Sequence, residues 1–229
     1  MSLAGSGAVA IWHDIAPEGR GEFYAWHGRE HMPERVAIPG FVRGRRYIAT
    51  GESPEYFNLY ETESPATVKG ADYRARLENP TPWTVATVKH FRGVARSLCR
   101  VAASTGEGDG GLIATLRYDV DAARADAHER RLIAAMQELA MQPGVAGAHL
   151  LIADEAASAV ETAEKKVRAE KNLIPPWIVL IEGWADAAGF TAFCRDQARG
   201  ALFADATGAP ALGIYHLQNT RGSAAKGHP

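Results

Sequence analysis

The chain has 229 residues, 46% of them hydrophobic and 23% charged, the proportions of an ordinary globular protein. Lys and Arg total 25 against 27 Asp and Glu, so a formal charge of −2 offers no basic field for nucleic acid or an anionic membrane. Two cysteines without metal-ligand spacing suggest neither a disulfide framework nor a metal site, and no apolar run is long enough to span a bilayer, so a reducing cytoplasmic location is the default expectation.

In chain order, residues 8–15 are β-branched and aromatic enough for a strand, and Pro17-Glu18-Gly19 breaks it. Residues 22–36 have helical spacing up to Pro39-Gly40. Two strands follow, 41–50 and 55–62, around a turn at Gly51 to Pro54. Ser64 is the expected cap of a helix reaching Leu77, closed by Pro80 and Pro82, and 85–101 reads as a last extended segment. After a Gly/Ser/Thr-rich linker at 102–111 the order recurs: strand 111–120, helix 122–141, strands 146–153 and 177–184, helix 187–200, strand 211–219. A polar stretch at 154–171, rich in Ala, Glu and Lys, is an insertion expected to form an exposed extra helix.

The recurrence is visible in the residues themselves. Leu116 to Val120 echoes Ile11 to Ile15 at an offset of 105, and Pro143-Gly144-Val145 echoes Pro39-Gly40-Phe41 at 104. Leu180-Ile181-Glu182 echoes Leu59-Tyr60-Glu61 at 121, the increase of 17 matching the insertion. Two β-α-β-β-α-β units, 8–101 and 111–219, are therefore expected, each a ferredoxin-like α+β motif. Residues 177–184 look apolar on both faces, Trp177, Val179 and Ile181 against Ile178, Leu180 and Trp184, so the two sheets should bury one another as a pseudo-twofold α+β barrel. Homodimerisation through exposed sheet edges is the expected assembly, and Arg43, Arg45 and Arg46 read as a solvated strand edge.

The first helix concentrates the chemistry. At about 100° per residue, Phe23, Tyr24, His27, His31 and Glu34 share about a third of its circumference, with Trp26 and Glu30 flanking. Histidines on such a stripe face the sheet, where desolvation keeps imidazole neutral and able to accept a proton. A single histidine there is more often a packed core residue; two, one turn apart, make the functional reading about even with the structural one.

The run Phe23, Trp26, His27, His31, Pro33, then Pro39-Gly40 and Arg46-Tyr47, resembles the EthD-like branch of the dimeric α+β barrel superfamily. The likeness in motif covers Phe23 to Tyr47. His27 departs from it by standing where the pattern has an aromatic residue, and the second unit lacks the His-x-Pro altogether. The resemblance implies that His31 is the functional histidine and that the protein acts on a small organic compound; the superfamily includes cofactor-free monooxygenases, isomerases, cyclases, dehydratases and haem enzymes.

The sequence reading thus assigns catalysis to His31, His27 and Glu61, with Phe23, Tyr24, Trp26, Tyr47, Tyr60 and Trp83 around a hydrophobic organic ligand, with aromatic and polyketide-like compounds as the candidates, and no bound cofactor. Proton abstraction from an acidic C–H is the expected chemistry, leading to isomerisation, dehydration or reaction with oxygen. A non-catalytic binding module is the alternative. His27-Gly28-Arg29-Glu30-His31 also matches a zinc-peptidase string, weakened by Gly28, Pro33 and the want of a third ligand. Haem would need His128, His149 or His216, each better read as structural. Glu61 and Glu182 are equivalent, and each could pair with an arginine such as Arg96.

Overall fold

The computed structural model describes residues 3–51, 54–168 and 170–223. Its eight strands are β1 (Gly7–Ile15), β2 (Phe41–Ala49), β3 (Tyr56–Thr62), β4 (Phe91–Gly106), β5 (Leu112–Tyr118), β6 (Val145–Ala153), β7 (Trp177–Gly183) and β8 (Ala211–Gly222). All pair antiparallel, closing in the order β1-β3-β2-β8-β5-β7-β6-β4. The pseudo-twofold barrel is therefore built within one chain, from sheets β4-β1-β3-β2 and β8-β5-β7-β6. Two seams join them, β2 with β8 and β4 with β6.

The matched residues fall on equivalent strands. Trp12 pairs with Phe57 as Arg117 pairs with Ile178, the same offsets that relate the sequences. Gly40 and Gly144 both stand directly before a strand, in the turn that follows a helix, in the left-handed region at φ of 85° and 81°, a conformation that glycine adopts without steric cost.

Strand alternation sorts the core into an inner and an outer layer. Ala8, Ala10, Trp12, Tyr47, Phe57 and Leu59 point into the barrel with Ile113, Leu151, Ile178 and Leu180. The Trp12 indole N–H donates to Thr115 Oγ1 at 3.1 Å, tying the two halves together there. Outside, the first half carries α1 (Arg20–Trp26), a π-helical turn at His27–His31 and α2 (Met32–Val36), then α3 (Ala71–Glu78) and α4 (Pro82–Val88). The second half carries α5 (Ala125–Ala140) and α8 (Ala187–Arg199), with the insertion between them forming α6 (Glu155–Ala159) and α7 (Ala163–Lys166).

Several expectations are corrected. Pro82 opens a helix instead of closing one: the Thr81 hydroxyl accepts the Thr84 N–H at 3.0 Å, and proline suits the first helical position, where no N–H is needed. Ser64 caps nothing, since α3 begins only at Ala71 after a 3₁₀ turn. The linker is shorter than expected because β4 continues to Gly106 along β6. The insertion is not an exposed helix: α7 packs on α3 and α4 and buries Glu164. Trp184 lies past the end of β7 and is 69% exposed. Arg45 and Arg46 are buried instead of lining a solvated edge. A closed barrel also leaves no edge among the described strands for the expected dimerisation. The turn expected at 51–54 includes 52 and 53, outside the described residues.

Candidate functional site

Between the first-half helices and the outer face of its sheet lies a cavity of about 30 Å³. Its position follows from a helix irregularity. Pro33 has no N–H to offer the Arg29 carbonyl, and its ring would press on that carbonyl in a regular helix. The helix widens instead, with the Met32 N–H bonding back to His27 O, five residues away. Single π-turns of this kind are rare and concentrate at functional sites. This one places His27 and His31 side by side on the cavity wall, ring centroids 5.6 Å apart.

The two histidines are held differently. Arg46 Nη1 lies 3.3 Å from His27 Nδ1, and Tyr60 Oη lies 3.3 Å from His27 Nε2. Arginine only donates, so Nδ1 is the acceptor and the neutral ring carries its proton on Nε2, which it gives to Tyr60. Both His27 nitrogens are thus occupied. His31 rests against Trp26, ring centroids 4.2 Å apart, and its buried Nδ1 has no hydrogen-bond partner among the described residues. A third histidine, His13, sits under Phe23 with Asn58 Nδ2 at 2.9 Å from its Nε2.

All three rings are kept neutral. Burial pushes the His27 and His31 pKa values well below the ordinary range, and the positive charges of Arg46 and Arg35 respectively push the same way. Burial lowers His13 to about 3.

Opposite the histidines the lining is cationic. Arg35, Arg96 and Arg168 meet one carboxylate, Glu164, with Tyr60 and Tyr73 between them. Arg35 Nη2 is 2.5 Å from Glu164, Arg168 Nη2 is 3.8 Å from it, and Arg96 donates to the Tyr73 hydroxyl at 2.7 Å. Burial works most strongly on the Arg35 charge, but Glu164, Tyr73, Glu34 and Tyr60 together more than offset it and raise its pKa; burial outweighs Glu164 at Arg168, whose pKa is lowered.

Of the residues singled out from sequence, the structure brings His27, His31, Trp26 and Tyr60 to this cavity. Phe23 and Tyr24 lie beside it, in a cluster with Tyr56. Glu61 and Tyr47 do not reach it. Each shares the inward-facing set of its strand, on the far side of the sheet from the helices. Glu61 is instead ion-paired with Arg43 and Arg45, and Glu182 with Arg45, so neither glutamate takes Arg96 as partner. Trp83 sits on α4 with its indole N–H donated to Glu22. The sequence reading missed Arg35, Arg96, Glu164 and Arg168. Alternation outward from Val94 could have placed Arg96, whereas Glu164 and Arg168 offered only the i, i+4 spacing of an ordinary surface pair.

Neither rival site fits. Glu30 accepts from the Thr81 hydroxyl at 2.6 Å, away from the histidines, and no three His, Cys, Asp or Glu side chains converge on a metal position among the described residues. Haem would require an open space beside a second-half histidine. Under α5 that space is filled by Leu132, Met136 and Leu139, all buried. His128 is bonded to Tyr118 at 3.0 Å and His149 to Ser104 at 3.0 Å, while His216 is exposed.

Comparison with solved structures gives the fold a family setting. An anthrone oxidase-like protein superposes with a TM-score of 0.68 over 99% of this chain and 97% of its own, at 14% identity. A candidate monooxygenase from Fusobacterium nucleatum follows at 0.57 over 96% of each chain and 6% identity. One from Lactobacillus acidophilus gives 0.54 at 10% identity, over 95% of this chain and 97% of its own. The shared fold is the pseudo-twofold α+β barrel described above. No family model and no curated protein matches the sequence. At such identities the likeness establishes architecture alone. No helix among the described residues is long and apolar enough to cross a membrane.

Proposed function

We propose that the chain is an EthD-like α+β barrel enzyme that removes a proton from an acidic C–H of a hydrophobic, aromatic or polyketide-like compound, with His31 as the base. One observation carries the reading: His31 presents a neutral imidazole, on a cavity wall, with a buried nitrogen that no group among the described residues engages. A base must be unprotonated and within reach of substrate, and desolvation supplies the first condition. His27 is a positioning residue, since Arg46 and Tyr60 occupy both its nitrogens. Loss of the proton leaves the electron pair as an enolate, which can be reprotonated elsewhere or react with dioxygen. The oxygenase branch is favoured by the likeness to an anthrone oxidase-like protein and to candidate monooxygenases. The motif residues support the EthD-like assignment, because Pro33, Gly40 and Arg46 each shape the helix or hold His27. In this reading the chain is a duplication, 8–101 and 111–219, with chemistry retained in the first unit only, and a cytoplasmic setting suits its two buried free thiols.

The test uses anthrone, a C–H acid that takes up one dioxygen and gives anthraquinone and water. Oxygen uptake and absorbance should show turnover by the wild type and a rate about 10²–10⁴ lower in His31→Gln, the usual contribution of a general base. Unchanged turnover in His31→Gln would remove the assignment. Retention of hydrophobic C–H acids without turnover by either protein favours the binding module.

A further inference from the structure

The cavity wall holds more positive charge than its own residues neutralise. Three arginine side chains and one carboxylate line it, and Arg35, Arg96 and Arg168 are each no more than 6% exposed at the side chain or residue level. Buried charge without a counterion is costly, so such an excess persists where something else supplies the anion. Arg35 Nη1 and Arg168 Nε have no hydrogen-bond partner among the described residues, although Glu34, outside the cavity lining, lies 3.8 Å from Arg35 Nη1. Among the described residues the one carboxylate lining the cavity, Glu164, comes from the insertion, the segment of the second half without a counterpart in the first.

A route to these cations exists. Between α3 and α6 lies an outer cleft of about 390 Å³, lined by Val68, Leu77, Leu98, Ala157 and Val160 among others. That is ample for a small aromatic ligand. The cleft and the inner cavity share Tyr73, Leu77 and Arg96, so the Arg96–Tyr73 hydrogen bond stands at their junction. The inner cavity, at about 30 Å³, accommodates little more than one or two water molecules and cannot take a ring.

We infer that the ligand of this site is a hydrophobic compound bearing an oxyanion, and that Glu164 is the internal stand-in for that anion. The ring occupies the apolar cleft between α3 and α6, while its oxyanion passes Arg96 and replaces the Glu164 carboxylate on Arg35 and Arg168. Displaced Glu164 turns to solvent, which it already touches at 8% exposure. Anchored in this way, the leading edge of the ring faces His31. The inference rests on the proposed function for the identity of the site, but it concerns binding and not the chemical step.

Isothermal titration calorimetry of the full chain with 2-naphthoate, 2-naphthol and methyl 2-naphthoate tests it. Wild type should bind naphthoate at least tenfold more tightly than the neutral ester. Glu164→Gln removes the competing carboxylate and should tighten naphthoate a further tenfold or more, leaving the ester unchanged. Arg168→Gln should erase most of the preference. Preference for 2-naphthol over naphthoate would identify the oxyanion as a phenolate or enolate, and the reverse order as a carboxylate. Equal binding of ester and naphthoate, an unchanged naphthoate affinity in Glu164→Gln, or no saturable binding of naphthoate to either protein overturns the inference. Should Glu164→Gln fail to fold, Arg168→Gln decides alone, since an undiminished preference for naphthoate there is equally fatal. Anion selectivity without turnover would leave this inference standing and remove the catalytic one; turnover restricted to neutral compounds would do the opposite.

Discussion

Arg45 of the first half reaches across the barrel interior to Glu182 of the second, Nη1 to Oε1 at 2.9 Å, with both side chains excluded from solvent. The same guanidinium holds Glu61 at 3.0 Å, so one cation serves two equivalent carboxylates. His149, the counterpart of Arg45 by the 104-residue offset, approaches Glu182 from the other side at 3.4 Å. Removing one partner of such a buried group strands the others. Arg45→Met should destabilise the fold by about 3–5 kcal/mol, measured by denaturant unfolding. A loss under about 1 kcal/mol would mean that the network is not coupled to folding.

The same carboxylate gives an acid response. Burial alone would raise the Glu182 pKa, but the His149 hydrogen bond, the Arg45 charge and the Gly110 N–H hold it at about 2. A depressed folded value stabilises the fold above the unfolded pKa, and that contribution is lost as pH falls through about 4.5 towards 2. Unfolding free energy should therefore drop across that window, and Glu182→Gln should flatten the slope. An unaltered slope in the variant would assign the acid response to other groups.

The buried histidines act in a higher window. Their folded values lie below 6.5, so below that pH the unfolded chain binds protons that the folded chain refuses. Stability should be full above about 7 and fall on acidification, by up to about 1.4 kcal/mol per pH unit for each histidine. Thermal midpoints at pH 7.5 and 5.5 would show it, and His31→Gln should reduce the difference. Nuclear magnetic resonance offers a direct check, since His31 ring signals should not titrate between pH 8 and 5.

Under α5, packing replaces chemistry. Met136→Ala should cost about 2–5 kcal/mol as a large-to-small core change, because Met136 is fully buried between α5 and the sheet. Turnover per folded molecule should stay at the wild-type level. A specific loss of activity would place part of the site under α5.

Gly40→Ala and Gly144→Ala should each destabilise by more than about 1 kcal/mol. Both backbones have positive φ, and an added Cβ would come within 2.8 Å of Thr67 and 2.7 Å of Ala185 respectively. Similar losses at the two sites would reflect their equivalence; a neutral substitution at either would contradict the geometry.

The barrel was legible in the sequence because it is written twice. Repeated Pro-Gly turns and equivalent Leu and Glu positions fix element order, and strands apolar on both faces require a second layer. His27 and His31 were legible through helical periodicity, even though the helix departs from that periodicity between them. Glu61 was misplaced because proximity to Tyr60 in sequence says nothing across a strand, where neighbours face opposite sides. Arg43, Arg45 and Arg46 were misread because a run of arginines is usually solvated, and only closure of the barrel reveals Glu61 and Glu182 waiting inside. The insertion was illegible for another reason: its composition is that of a surface helix, and nothing local shows that Glu164 turns inward.

Closure of the ring has a consequence for synthesis. On its outer side β2 pairs with β8, whose residues 215–222 are made long after it. Until they leave the ribosome, the first half exposes a strand seeking a partner. Pairings separated by so much chain form slowly and leave unpaired edges open to association. Nascent chains truncated before β8 should therefore be captured by chaperones or join one another, whereas release of β8 closes the gap between β2 and β5.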